Sequence, residues 1–252
     1  MRITNKQPRA RASTATRVMA AIALAAALPG CATIHRSAFS EDQSALAAIP
    51  GIPDARFWAD APDAGRKMTA AYSAADGQTQ MLALSGGSDN GAFGAGLLNG
   101  WSKSGTRPEF TTVTGVSTGA LIAPLAFLGR DQDAVLTRLF TEVSAKNIFK
   151  NRFLLAVPFS PSVASTTPLA AMIDATMTDA LIDRIGAENA RGRRLFVGTA
   201  NIDAQRSVIW NMGAIAASKA PSHYALFRQV LLASASIPGL FPPVIIDRKS
   251  VV

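Results

Sequence analysis

The sequence predicts an α/β layered fold with a mainly parallel central sheet flanked by helices, and three observations support that prediction. From residue 80 onward, short apolar or β-branched runs alternate with stretches of helical spacing. Glycine-rich turns stand where the first two of those runs give way to helices. The chain is 252 residues long, 48% apolar and 17% charged, which suits a packed core and excludes disorder for most of its length.

The elements follow in order. Residues 81–85 form a short apolar strand ending in a glycine loop. Phe93, Leu97, Leu98 and Trp101 then recur at helical spacing, as on one face of an amphipathic helix. Residues 110–114 are β-branched and aromatic, a second strand running into Gly115. An apolar helix follows over 118–128, with Pro124 as its kink. Helical patterns recur over 131–145, 168–176 and 178–188, and strands over 195–199 and 207–211. Ser222 is placed to cap a helix reaching Ala235, and residues 244–246 read as the start of another strand.

The net charge of +8 points to a polyanionic partner until the charges are located. Five basic residues (Arg2, Lys6, Arg9, Arg11 and Arg17) and no acid fall within residues 1–30, leaving 20 basic against 17 acidic residues, or +3, in the remainder. Nucleic-acid binding needs clustered Lys and Arg on a folded surface and loses its support. The same leader has a basic stretch, an apolar run over 18–28 and then Leu28-Pro29-Gly30-Cys31, the parts of a secretory signal. The run is too short to span a bilayer as a helix. Cys31 is the only cysteine, and its position resembles a bacterial lipobox, which implies an acylated, membrane-anchored lipoprotein of the bacterial envelope. Ala32 after it favours the outer membrane or periplasmic face. Residues 31–79, rich in Ala, Asp, Pro and Ser, read as a tether with one docked patch at Phe57 and Trp58.

Two motifs promise chemistry. Gly115-Val116-Ser117-Thr118-Gly119 fits a nucleophile elbow, a serine in a tight strand-to-helix turn with Gly115 and Gly119 letting strand and helix approach. The helix beyond Ser117 offers free N–H groups and a positive dipole end to a developing anion. About thirty residues upstream, Ser85-Gly86-Gly87-Ser88-Asp89-Asn90-Gly91 makes a second strand-to-helix turn. Such a turn serves a phosphate cradle, an oxyanion hole or close helix packing. The dinucleotide spacing fails at Ser88, and the lysine of a Walker loop is absent. A serine nucleophile needs backbone donors, so Gly86, Gly87 and Ser88 are the candidate oxyanion hole. For the base, Ser117, Asp203 and His223 follow the chain order of an α/β-hydrolase triad, while a Ser–Asp dyad needs no histidine. One cysteine and two scattered histidines give no metal-ligand cluster, and no cofactor is expected.

The glycine loop and the elbow are accompanied by Thr199-Ala200-Asn201-Ile202-Asp203, Ile209-Trp210-Asn211, Ser234-Ala235-Ser236-Ile237-Pro238-Gly239 and Phe241-Pro242-Pro243. Together they resemble a bacterial patatin-like phospholipase over roughly residues 80–246. The resemblance implies a lipid acyl hydrolase with a Ser–Asp dyad, Ser117 as nucleophile, the amides around Gly87 and Ser88 as oxyanion hole, and membrane lipids as substrate. The family usually has a third glycine where Ser88 stands, and often Arg or Lys near Asn90. Its aspartate lies in an Asp-Gly-Gly or Asp-Gly-Ala motif beyond the strand that starts here at Val244, and Asp247-Arg248-Lys249 does not fit that motif. The expected organisation is therefore a signal at 1–30, a tether at 31–79, an incomplete hydrolase domain at 80–246 and a non-native tail at 247–252. One possible coding of that tail matches a sequencing adapter, and the native chain is expected to continue to the aspartate. The rival readings are an esterase with the Ser117-Asp203-His223 triad and a non-catalytic, lipid-binding envelope lipoprotein.

Overall fold

Alternating side chains on each strand sort the residues between two faces of one sheet, and that sorting fixes the architecture. The computed structural model describes residues 49–69, 79–141, 165–238 and 240–246. Its sheet contains β1 (Arg56–Trp58), β2 (Met81–Leu84), β3 (Thr112–Val116), β4 (Arg194–Asn201) and β5 (Arg206–Asn211) in the order β1-β5-β4-β3-β2. β2, β3 and β4 are parallel, and β5 and β1 extend the sheet by antiparallel pairing. The parallel core is the mainly parallel α/β sheet expected.

Along β4, Leu195 and Val197 point into the main core, while Phe196 between them points to the other face. Trp210 and Val208 of β5 share the first face, and Ile209 the second. The first face is covered by helices: α2 (Gly91–Lys103), α3 (Thr118–Leu128), α4 (Asp133–Thr141), α5 (Thr167–Thr176), α6 (Asp179–Ala190), α7 (Met212–Ala217) and α8 (His223–Ala235). The second face holds a small cluster of Phe57, Ala64 and Phe196 under the short α1 (Ala64–Thr69).

Two expectations are corrected here. The patch at Phe57 and Trp58 is a sheet strand, and Ile49, Ile52 and Ala55 are buried, so residues 49–69 belong to the folded unit and not to a tether. Pairing with the free edge of β5 satisfies their backbone groups and makes this segment structural. Residues 244–246 pair with no strand among the described residues; Ile245 is 73% exposed while Ile246 packs on the core. An apolar run alone does not make a strand without a neighbouring edge in register. The leader, Cys31, residues 142–145 of the expected 131–145 helix, and the 247–252 tail lie outside the described residues.

The helix with Phe93 and Leu97 is a third correction. α2 buries Gly91, Ala95 and Leu98 and leaves Phe93 77% exposed and Leu97 59% exposed. Leu98 is buried as expected, and the rest of the packing face is made of small residues. A Cβ at Gly91 would lie 2.0 Å from the Thr118 methyl and one at Gly94 3.7 Å from Ile122, so α2 rests almost backbone-first on α3. Large side chains on that face would hold the two helices apart.

α3 is the axis of the fold, buried along ten of its eleven residues. Its last carbonyls meet two buried guanidinium groups at the edge of the sheet opposite Ser117. Arg107 donates to Ala126 O at 3.0 Å and to Asp133 Oδ1 at 2.8 Å. Arg193 donates to Phe127 O and to Phe110 O, and its Nη1 donates to Glu188 at 3.0 Å. Positive charge at a helix C-terminus opposes the dipole and satisfies the last carbonyls. Burial raises the Glu188 pKa, but hydrogen bonds from Arg193 and Arg191 outweigh it and hold the carboxyl below its ordinary value. Glu188 therefore stabilises the fold above that ordinary value, and the contribution is lost as pH falls through the lowered one. Replacing Arg193 by Met orphans two buried carbonyls and is expected to cost about 3 kcal/mol. Thermal denaturation should show a fall of roughly 6–12 °C in Tm at neutral pH, and a smaller fall at pH 3.5, where less of the Glu188 contribution remains.

Candidate active site

Ser117 sits where β3 leaves the sheet and α3 begins, at φ 55° and ψ −122°. That is the conformation of the first central residue of a type II′ turn, which glycine dominates. Holding a serine there stores of order 1–3 kcal/mol, so the surroundings must over-determine it. Four contacts do so. A Cβ at Gly115 would lie 2.4 Å from Gly119 O, and one at Gly119 would lie 2.3 Å from Leu84 O. Both positions therefore require glycine for contact, the steric cause expected of the elbow. The Ser117 carbonyl accepts from Ala120 N–H at 2.9 Å and so starts α3. The Ser117 N–H donates to Ser234 Oγ at 2.9 Å. The local sequence assigns Ser234 to a motif but gives it no role, because its partner lies 117 residues away.

The glycine loop lies directly against this turn. A Cβ at Gly86 would be 3.0 Å from Ser117 Cβ and 3.6 Å from its Oγ, so the loop backbone touches the serine. Gly87 O accepts from Asn90 N–H at 3.0 Å. The planar trans peptide then turns the Ser88 N–H the opposite way. Ser88 O accepts from Thr118 Oγ1 at 2.9 Å, tying the loop to the residue after Ser117. The amides of Gly86, Gly87 and Ser88 form no hydrogen bond among the described residues. The structure thus brings together Ser117, Gly86, Gly87, Ser88, Gly115 and Gly119.

It does not bring the triad together. His223 opens α8 and its Nδ1 meets Ala220 O at 2.7 Å. Ser234, which contacts Ser117, lies eleven residues further along α8, about 16 Å at helical rise. The imidazole is therefore out of hydrogen-bond reach of Ser117, because the helix that starts at His223 points its other end at the elbow. Asp203 lies in the turn between β4 and β5, with its N–H on Asn201 Oδ1 at 3.0 Å. Ser117 Oγ has no hydrogen-bond partner among the described residues. The described residues hold no cluster of three or more potential metal ligands and no helix long and apolar enough to cross a membrane.

A parallel α/β sheet with a strand-turn-helix serine and a glycine loop meeting at its carboxyl edge defines the class, a layered α/β protein with its site on one edge of the sheet. The family model for patatin-like phospholipase matches residues 82–252, and the chain belongs to that family of lipid acyl hydrolases. No curated protein matches the sequence closely enough to count as a relative.

The departure at Ser88 has a structural consequence. Ser88 has φ 50°, in the left-handed region. A non-glycine residue costs about 1–2 kcal/mol there, against about 0.5–1 kcal/mol for the extra freedom glycine has in the unfolded chain. Ser88→Gly should therefore stabilise the protein by several tenths of a kcal/mol up to about 1 kcal/mol. Calorimetry is expected to show a Tm raised by one to four degrees; a Tm lowered by two degrees or more would contradict the strain.

Proposed function

We propose that the protein hydrolyses carboxylic ester bonds of membrane lipids through a serine acyl-enzyme. The observation that supports it best is the contact of the strained Ser117 turn with the Gly86–Ser88 loop. In this reading Ser117 Oγ attacks the ester carbonyl and passes its proton to a carboxylate base. The C–O bond then breaks, the alcohol leaves with a proton, and water releases the fatty acid from the serine. The amides of Gly86, Gly87 and Ser88 and the first N–H groups of α3 receive the oxyanion. Each donor of this kind contributes roughly 10²–10³ in rate. The site needs no metal or cofactor in this mechanism.

Apolar side chains exposed on the same elements support an acyl substrate. Val116, beside Ser117, is 49% exposed, Phe93 at the start of α2 is 77% exposed, and Ile237 just past Ser234 is 42% exposed. An isolated exposed apolar residue is ordinary, but these three stand on the elements that meet at Ser117. The lipid anchor proposed at Cys31 holds the domain at a bilayer and raises the local concentration of such a substrate. We assign it to the outer membrane or periplasmic face on Ala32, the residue that follows Cys31.

The base is the aspartate of a Ser–Asp dyad, expected downstream of Ile246. Reading the gene past the Ile246 codon checks this: an in-frame Asp-Gly-Gly or Asp-Gly-Ala run supports the dyad, and its absence contradicts it. On the chain carrying that base, Ser117→Ala should lower hydrolysis of phospholipid vesicles and of 4-nitrophenyl acyl esters at least 10³-fold. His223→Ala should leave the rate within about twofold. Activity that survives Ser117→Ala would overturn the reading, and lipid binding with no hydrolysis at all would favour a non-catalytic binder.

A further inference from the structure

The β3–β4 ladder stops one rung short of where its register would take it. Arg194 N–H donates to Thr111 O, and Thr112 pairs with Arg194, Thr114 with Phe196 and Val116 with Gly198. In a parallel ladder the rungs repeat every second residue. Counting forward from Arg194 in steps of two, the rung that closes the Val116–Gly198 pair would run from Ser117 N–H to Gly198 O. That bond is not made. The Ser117 N–H donates to Ser234 Oγ at 2.9 Å, and the Ser234 hydroxyl donates to Gly198 O at 2.7 Å. One hydroxyl stands in the place of a rung.

We infer that Ser234 is the positioning residue for Ser117, its hydroxyl spliced into the last rung of the β3–β4 ladder so that the strand leaves the sheet at the angle the elbow needs. A direct rung would hold nitrogen and oxygen about 2.9 Å apart and keep Ser117 extended in the sheet. The inserted oxygen separates the strands at that point while leaving both backbone groups satisfied, and a buried backbone group without a partner would be costly.

The behaviour of its neighbour shows that this orientation is not a helical default. Ser236, two residues on, donates to Leu232 O at 2.7 Å, the ordinary bond of a helical serine to the carbonyl four residues back. Ser234 leaves that option unused and reaches across to β4. Its helix is fixed for the purpose, since Leu226, Phe227, Val230 and Leu231 of α8 are all buried in the main core. Gly198 contributes from the other side: a Cβ there would lie 3.1 Å from the Val116 side chain and crowd the opened rung. The donor direction also matters chemically. Ser234 accepts from the Ser117 amide, so its own proton is committed to Gly198 O and it does not compete for Ser117 Oγ.

This inference rests on the proposal that Ser117 is the nucleophile, and the test keeps the two separable. Amide hydrogen exchange by NMR is read at Ser117 and at Val113 on the same strand, and phosphonylation of Ser117 by a fluorophosphonate is timed on the same proteins. Ser234→Ala should speed exchange at Ser117 at least tenfold relative to Val113 and slow phosphonylation about ten- to a hundredfold. Ser234→Thr, which keeps the hydroxyl, should return both to within about threefold of the parent. If Ser234→Ala does not fold, Ser234→Cys, with its weaker hydrogen bond, is read in the same way. Unchanged exchange at Ser117, equal acceleration at Val113, or faster exchange with unchanged phosphonylation would each overturn the positioning role. A parent protein that is not phosphonylated would overturn the nucleophile, and the exchange arm would still decide whether Ser234 holds the turn.

Discussion

The site depends on one steric constraint, the contact of β3, α3 and the β2 loop at distances only glycine allows. With hypothetical Cβ atoms 2.4 Å and 2.3 Å from backbone oxygens, Gly115 and Gly119 leave no room for alanine. Because these elements touch, the chain must turn within a single residue, and that residue is Ser117. The turn forces its φ positive, lifts its side chain out of the sheet, and brings it against Gly86. An extra methyl at either glycine would separate the layers and undo all three consequences.

α3 carries the electrostatic side of the same arrangement. It is almost wholly buried, so its dipole is screened little by water. The negative end is met by Arg107 and Arg193, which saturate its carbonyls. The positive end is left at Ser117, where no acidic side chain stands in the first turn. Charge balance at one edge of the sheet thus leaves the positive end of α3 facing the other, where anionic character would develop during acyl transfer.

How much of this was legible in the sequence differs by element. The elbow and its helix were legible because their determinants are local: Gly115, Gly119 and an apolar run fix the turn and the helix over 118–128, as observed. The patatin-like resemblance was legible from the order of several motifs. The strand at Phe57 was not, since its pairing with β5 joins residues about 150 positions apart with no periodic signal over three residues. The face of α2 was not legible, because Phe93 and Leu97 share a helical spacing with Leu98 yet face outward, while close packing on α3 selects Gly91 and Ala95. Ser234 is the instructive case: its hydroxyl, unlike that of Ser236, leaves its own helix, and nothing in the local sequence separates the two.

In the proposed reaction, the strained turn at Ser117 presents a nucleophile to the glycine loop. The most direct test is the site of covalent modification by a fluorophosphonate, read by peptide mass spectrometry on the full chain. A single adduct is expected on the peptide spanning Gly115 to Gly119, at Ser117 itself and absent from Ser117→Ala. An adduct at another serine, or equal labelling after Ser117→Ala, would contradict it.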